Sequence, residues 1–109
     1  MAIIHTNLTI QTLNGYTKLP IVYNAAIKNI NKNTNIYLAI GEGGLAHYTL
    51  REGSTQVQKM ADISILLNSV KLSIVDILEI TDLVDHVLGE QVFLLLDPNS
   101  GLVKVSIPR

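Results

Sequence analysis

The chain of 109 residues has no cysteine, no tryptophan, one phenylalanine and only three prolines. Without cysteine there is no disulfide framework and no thiolate-held zinc or iron–sulfur centre. Charged side chains are also scarce, at 16% of residues, against roughly 25% in an ordinary soluble domain. Eight basic residues face nine acidic ones, for a net charge of −1. Nucleic-acid-binding domains carry a basic stripe or patch. Here the Lys and Arg residues are scattered singly, so nucleic acid is not an expected partner. No apolar run approaches the ~18 residues of a membrane-spanning helix. His5 and Asn7 follow Met1-Ala2-Ile3-Ile4 directly, with no basic segment and no long apolar one. Neither a membrane anchor nor a secretion signal is expected, and a cytoplasmic or virion location follows.

What the chain does have is aliphatic bulk: Ile, Leu and Val together supply 39 residues. High aliphatic content with little net charge excludes intrinsic disorder. The length suits a single domain over 1–109, one that buries roughly two-thirds of its unfolded surface without staples. There is no internal repeat and no Pro/Ser-rich linker.

The first half has the period of strands. Ile4, Thr6, Leu8 and Ile10 alternate with His5, Asn7 and Thr9, and Asn14-Gly15 is a strong hairpin signal. Pro20 interrupts or edges the sheet. Ile21, Tyr23, Ala25 and Ile27 alternate again, which favours a strand over a short helix. The Asn-rich stretch 28–35 suits a polar turn. Strands are expected at 36–40 and 45–50, separated by Gly41-Glu42-Gly43-Gly44, and Arg51-Glu52-Gly53-Ser54 turns the chain. Residues 55–60 suit either a returning strand or the start of a helix.

The second half changes period. Residues 62–70 suit a helix, although Ile63, Ile65 and Leu67 also alternate. Over 73–88, Ile77, Ile80, Leu83, Val84, Val87 and Leu88 fall on one arc of a helical wheel, opposite Glu79, Asp82, Asp85 and His86. Ser73 and Asp76 stand as N-cap and capping-box partner, and Gly89 stands at the usual stop. Residues 91–107 suit a hairpin around Asp97-Pro98-Asn99-Ser100-Gly101. Its first strand, Val92 to Leu96, has no polar face and needs cover on both sides. The expected fold is therefore α+β: an antiparallel strand-rich N-terminal part, one or two helices at about 60–88, and a C-terminal hairpin.

Motifs that carry chemistry are sparse. The Gly41–Gly44 loop follows a strand, and backbone amides there suit an anion. It has neither the dinucleotide fingerprint nor the P-loop Lys-Ser/Thr pair, so a hairpin loop is the plainer reading. Asp82 and His86, four apart on the expected helix, suit one cation, but no further ligands are identifiable and no metal site is assigned. His5, His47 and His86 lack a nucleophile elbow of the Gly-x-Ser-x-Gly kind. Tyr16, Tyr23, Tyr37 and Tyr48 lack the interleaved basic residues of a base-stacking platform, so sheet packing explains them better.

The reading that remains is a non-catalytic assembly subunit without cofactor, forming homo-oligomers or contacts with other protein subunits. An accessory structural protein of a virion, such as a phage particle, is its concrete form. Val75 and Leu78 on the polar side of the expected helix, with Phe93 and Leu95 on the apolar strand, are the expected contact residues. The alternative is a small-ligand-binding or regulatory module at Gly41, Gly43, Gly44, His47 and Tyr48.

Overall fold

The computed structural model describes residues 21–30, 32–83 and 90–108. The expectations for 3–16, and those for Asp85, His86 and Gly89, lie outside the described residues. Within them the fold is all-β, with nine strands in three antiparallel sheets and no helix. The expected α+β fold, with helices at about 60–88, is thus corrected.

The first sheet is a meander of β1 (Asn24–Ile30), β2 (Asn33–Ala39), β3 (Leu45–Leu50) and β4 (Gln58–Ile63) in sequential order. The expected polar turn over 28–35 is shorter than the sequence suggests. β1 runs on to Ile30 and β2 begins at Asn33, with Ile30 paired to Asn33. Lys32 takes the positive φ, 67°. Tyr37, Ala39 and Leu45 project from this sheet into the core, with Ile63 packed against them.

Residues 62–70, expected as a helix, finish β4 and then form a small hairpin, β5 (Leu66–Leu67) and β6 (Val70–Lys71). Asn68 and Ser69 both have positive φ, 51° and 65°. Two such central residues make the tight hairpin turn whose twist matches its strands. The alternation of Ile63, Ile65 and Leu67 was therefore the better guide here than the helical period.

The last sheet is a meander of β7 (Asp76–Leu83), β8 (Glu90–Asp97) and β9 (Gly101–Pro108). β8 and β9 form the hairpin around 97–101, with Asp97 paired to Gly101. β7 replaces most of the helix expected over 73–88, and the reason lies in one residue. Ile77 pairs with Leu95 and Glu79 with Leu94, so Leu78 is an extra residue at a β-bulge. A bulge adds one residue to the strict alternation of a strand. Ile77 and Ile80 therefore both pack into the core although they are three apart, which is the spacing that imitates a helix. The capping box is also spent otherwise. The Ser73 N–H donates to Asp97 Oδ1 at 3.3 Å, and Asp76 Oδ1 accepts from its neighbour Ile77 N–H and from Asn24.

The two larger sheets pack face to face. Tyr37, Ala39 and Leu45 of the first meet Ile77, Phe93 and Leu95 of the second, and Ile65, Leu72 and Ile74 from the connecting segment complete the core. β1 lies beside β7, so the sheets are closest along that edge. This two-layer arrangement is the standard way for amphipathic sheets to bury one face each. Among the described residues, no helix is long and apolar enough to cross a membrane.

Candidate functional site

The β2–β3 connection is built from Gly41, Glu42, Gly43 and Gly44. Gly41 and Ile74 exchange both backbone hydrogen bonds, at 2.8 and 2.9 Å. The Gly44 N–H donates to Gly41 O at 2.8 Å, and Gly44 O accepts from the Ile40 N–H at 3.1 Å. The amides of Gly41 and Gly44 are thus engaged with backbone carbonyls rather than turned toward an anion. Gly44, at φ +83°, sits so close to β4 that a Cβ would lie 2.1 Å from Ile63 O. The loop pins the connecting segment to the first sheet.

His47 and Tyr48 leave this hairpin on opposite faces of β3, as successive strand residues must. Tyr48 is buried on the outer side of the sheet. His47 lies on the inner side, half-buried, opposite Tyr37 in the register. The imidazole stacks on the Tyr37 ring with centroids 4.5 Å apart and planes 11° from parallel. His47 Nε2 is 2.7 Å from Asn35 Oδ1. An amide oxygen only accepts, so Nε2 carries the proton and Nδ1 is left as the acceptor of a neutral ring. Burial lowers the His47 pKa from its ordinary value of 6.5, because desolvation disfavours the cation.

Tyr37 carries this polar group into the core. It meets Phe93 edge-on, with centroids 4.9 Å apart, and its hydroxyl donates to Gln91 Oε1 at 2.6 Å. Gln91 is buried, and its Nε2 has no hydrogen-bond partner among the described residues. Asn35, His47, Tyr37 and Gln91 form a chain of polar contacts between the sheets. Asn35 and Gln91 were missed from sequence. Their signal is parity: each is a polar residue at an inward position, as Gln91 is in the series Gln91, Phe93, Leu95.

The chemistry available here is limited. Among the described residues no Ser or Thr hydroxyl bonds to His47, and the neighbouring Thr49 hydroxyl is spent on Thr34 O at 3.3 Å. A nucleophile–base pair at His47 is therefore absent among the described residues. No cluster of three or more His, Asp or Glu side chains there suits a metal ion. Asp82 lies within the strand β7, and His86 lies outside the described residues.

The expected contact residues separate. Phe93 and Leu95 are fully buried between the sheets, Val75 is half-buried, and Leu78 is 49% exposed at the bulge. The other face of β8 is the more informative surface. Val92, Leu94 and Leu96 lie there half-buried, between Thr81 and Glu79 of β7 and Ser106, Lys104 and Leu102 of β9. Glu79, Thr81, Val92, Leu94 and Lys104 line a shallow groove of about 180 Å³. No family model, curated protein or solved structure matches this chain.

Proposed function

We propose that the chain is a non-catalytic assembly subunit that binds further copies of itself through its sheet surfaces, as in a virion or another repetitive particle. The observation that carries this reading is apolar surface left outside a complete core. Ile27 on β1, Leu66, Leu67 and Val70 on the β5–β6 hairpin, and Leu102 on β9 are each 47% or more exposed. The β8 face adds Val92, Leu94 and Leu96, with Leu102 beside them. Strands spaced about 4.8 Å apart with a rise of about 3.3 Å per residue give a three-stranded face of several hundred Å². That is smaller than the ~800 Å² per partner of a standard stable interface. A contact of this size suits weak association that repetition strengthens.

The test is the mass in solution across a concentration series from about 10 µM to about 1 mM, since small interfaces give weak complexes. Sedimentation should give an average mass that climbs above the 11.9 kDa of the chain. A single species of that mass at the highest concentration removes the proposal's support.

A further inference from the structure

We infer that the outer face of the β7–β8–β9 sheet pairs with the same face of a second copy about a two-fold axis parallel to β8. This rests on the assembly reading and specifies its contact. Leu94 pairs with Glu79 on one side and with Lys104 on the other. The row on one side of it is Thr81, Val92 and Ser106. The face therefore has an aliphatic ridge along β8, an acid on the β7 flank and a base on the β9 flank.

Such a pattern is complementary to its own image in one orientation only. A two-fold along β8 lays β7 of one copy over β9 of the other. Glu79 then faces Lys104 of the second copy, Lys104 faces its Glu79, and the Leu94 side chains meet near the axis. A two-fold in the same plane but across the strands would set Glu79 against Glu79 and Lys104 against Lys104. Isologous contacts require this kind of self-complementarity, and like charges brought together select against the wrong register. Facing sheets lie about 10 Å apart, a gap that a Glu and a Lys can span together.

Both charged groups are available for the contact. Lys104 is exposed and makes no ion pair or hydrogen bond among the described residues. Among the described residues, the Glu79 carboxylate accepts only from the Thr81 hydroxyl, at 3.1 Å. Asp76, the remaining acid on this flank of the face, is turned to Asn24 and the Ile77 N–H. It therefore leaves Glu79 as the acid that the β7 flank presents among the described residues.

The test is charge exchange, read by sedimentation of the whole chain. Glu79→Lys and Lys104→Glu should each weaken self-association about tenfold or more, because each turns two attractive pairs into two repulsive ones. The double variant should recover it. An equimolar mixture of the two single variants should associate as wild type does, since each supplies the charges the other has lost. That recovery also shows that the singles are folded, and far-UV circular dichroism of each checks this directly. A wild type that stays monomeric overturns the assembly reading itself. A wild type that associates while the single variants associate equally well overturns only this axis and contact.

Discussion

Replacing Gly44 with alanine tests whether the loop really locks the two parts of the fold together, and Gly53→Ala supplies the reference. Both glycines have nearly the same φ, +83° and +81°. An L-residue in that region costs roughly 1–2 kcal/mol at either position. Their surroundings differ completely. At Gly53 a new Cβ meets nothing within 4 Å. At Gly44 it would lie 2.1 Å from Ile63 O, 3.1 Å from Ile63 C and 3.2 Å from Ile65 N. These are backbone atoms, so no side chain can rotate away. Relief requires β4 to move from β3 at the Leu45–Ile63 pair, and with it Ile65 in the core. Forced backbone shifts of this kind add about 1–3 kcal/mol. Gly44→Ala should therefore lose about 2–5 kcal/mol, a large share of the 5–15 kcal/mol typical of a domain, while Gly53→Ala loses about 1–2 kcal/mol. Urea unfolding followed by far-UV circular dichroism suits a chain without tryptophan. With a slope near 1.5 kcal/mol per molar, the Gly44 variant should shift its midpoint by about 1–3 M. If the two variants agree within about 0.5 kcal/mol, the close approach of Gly44 to β4 is not a feature of the folded protein.

Two further predictions follow from the polar interior. Asp97 is 2% exposed, and its carboxylate accepts from the Ser73 and Ser100 N–H groups, each at 3.3 Å. Asp97→Ala leaves both amides without that acceptor and should cost about 1–3 kcal/mol by the same unfolding assay, whereas Asp97→Asn should keep much of it. A loss below about 0.5 kcal/mol for the alanine variant contradicts the role assigned to the carboxylate. His47 has a folded pKa below its ordinary 6.5, so the unfolded chain binds the proton more readily. Its contribution to stability is complete above pH 6.5 and is lost as the pH falls from there through the lowered folded value. His47→Gln can still donate to Asn35 but does not titrate. It should show a flatter stability profile between about pH 5 and 7, and identical slopes for variant and wild type exclude this assignment.

Much of the sheet structure was readable because alternation is a direct consequence of strand geometry. Val103, Val105 and Ile107 share the inner face of β9, while Lys104 and Ser106 face outward, as period two requires. The turn at Asp97-Pro98-Asn99-Ser100-Gly101 was equally legible, because Gly101 supplies a positive φ of 81°. The site was less so. His47 and Tyr48 are adjacent in sequence, but the pleat sends them to opposite faces. The partners of His47 are instead Asn35, one strand away, and Tyr37, which carries the contact on to Gln91 in the other sheet. Nothing in the spacing of 35, 37, 47 and 91 announces that meeting, because it depends on how the sheets stack.

The helix expected over 73–88 failed for a reason that also bears on the contact surface. Its apolar arc relied on the step from Ile77 to Ile80, and the bulge at Leu78 produces that step within a strand. Composition pointed the other way: Ile74, Val75, Ile77, Ile80 and Thr81 are β-branched, and such residues favour strands. Once the segment is a strand, Glu79 no longer belongs to a solvated helical face. It becomes one flank of a sheet surface whose other flank is Lys104 and whose centre is Leu94. The apolar outer side of β8, which needed a cover when read from sequence, then lies on a surface with its own charge pattern. A helix laid across it would have to match an acid on one side and a base on the other. A second copy of the same sheet matches both at once, and this is why the correction of the fold sharpens the choice of partner.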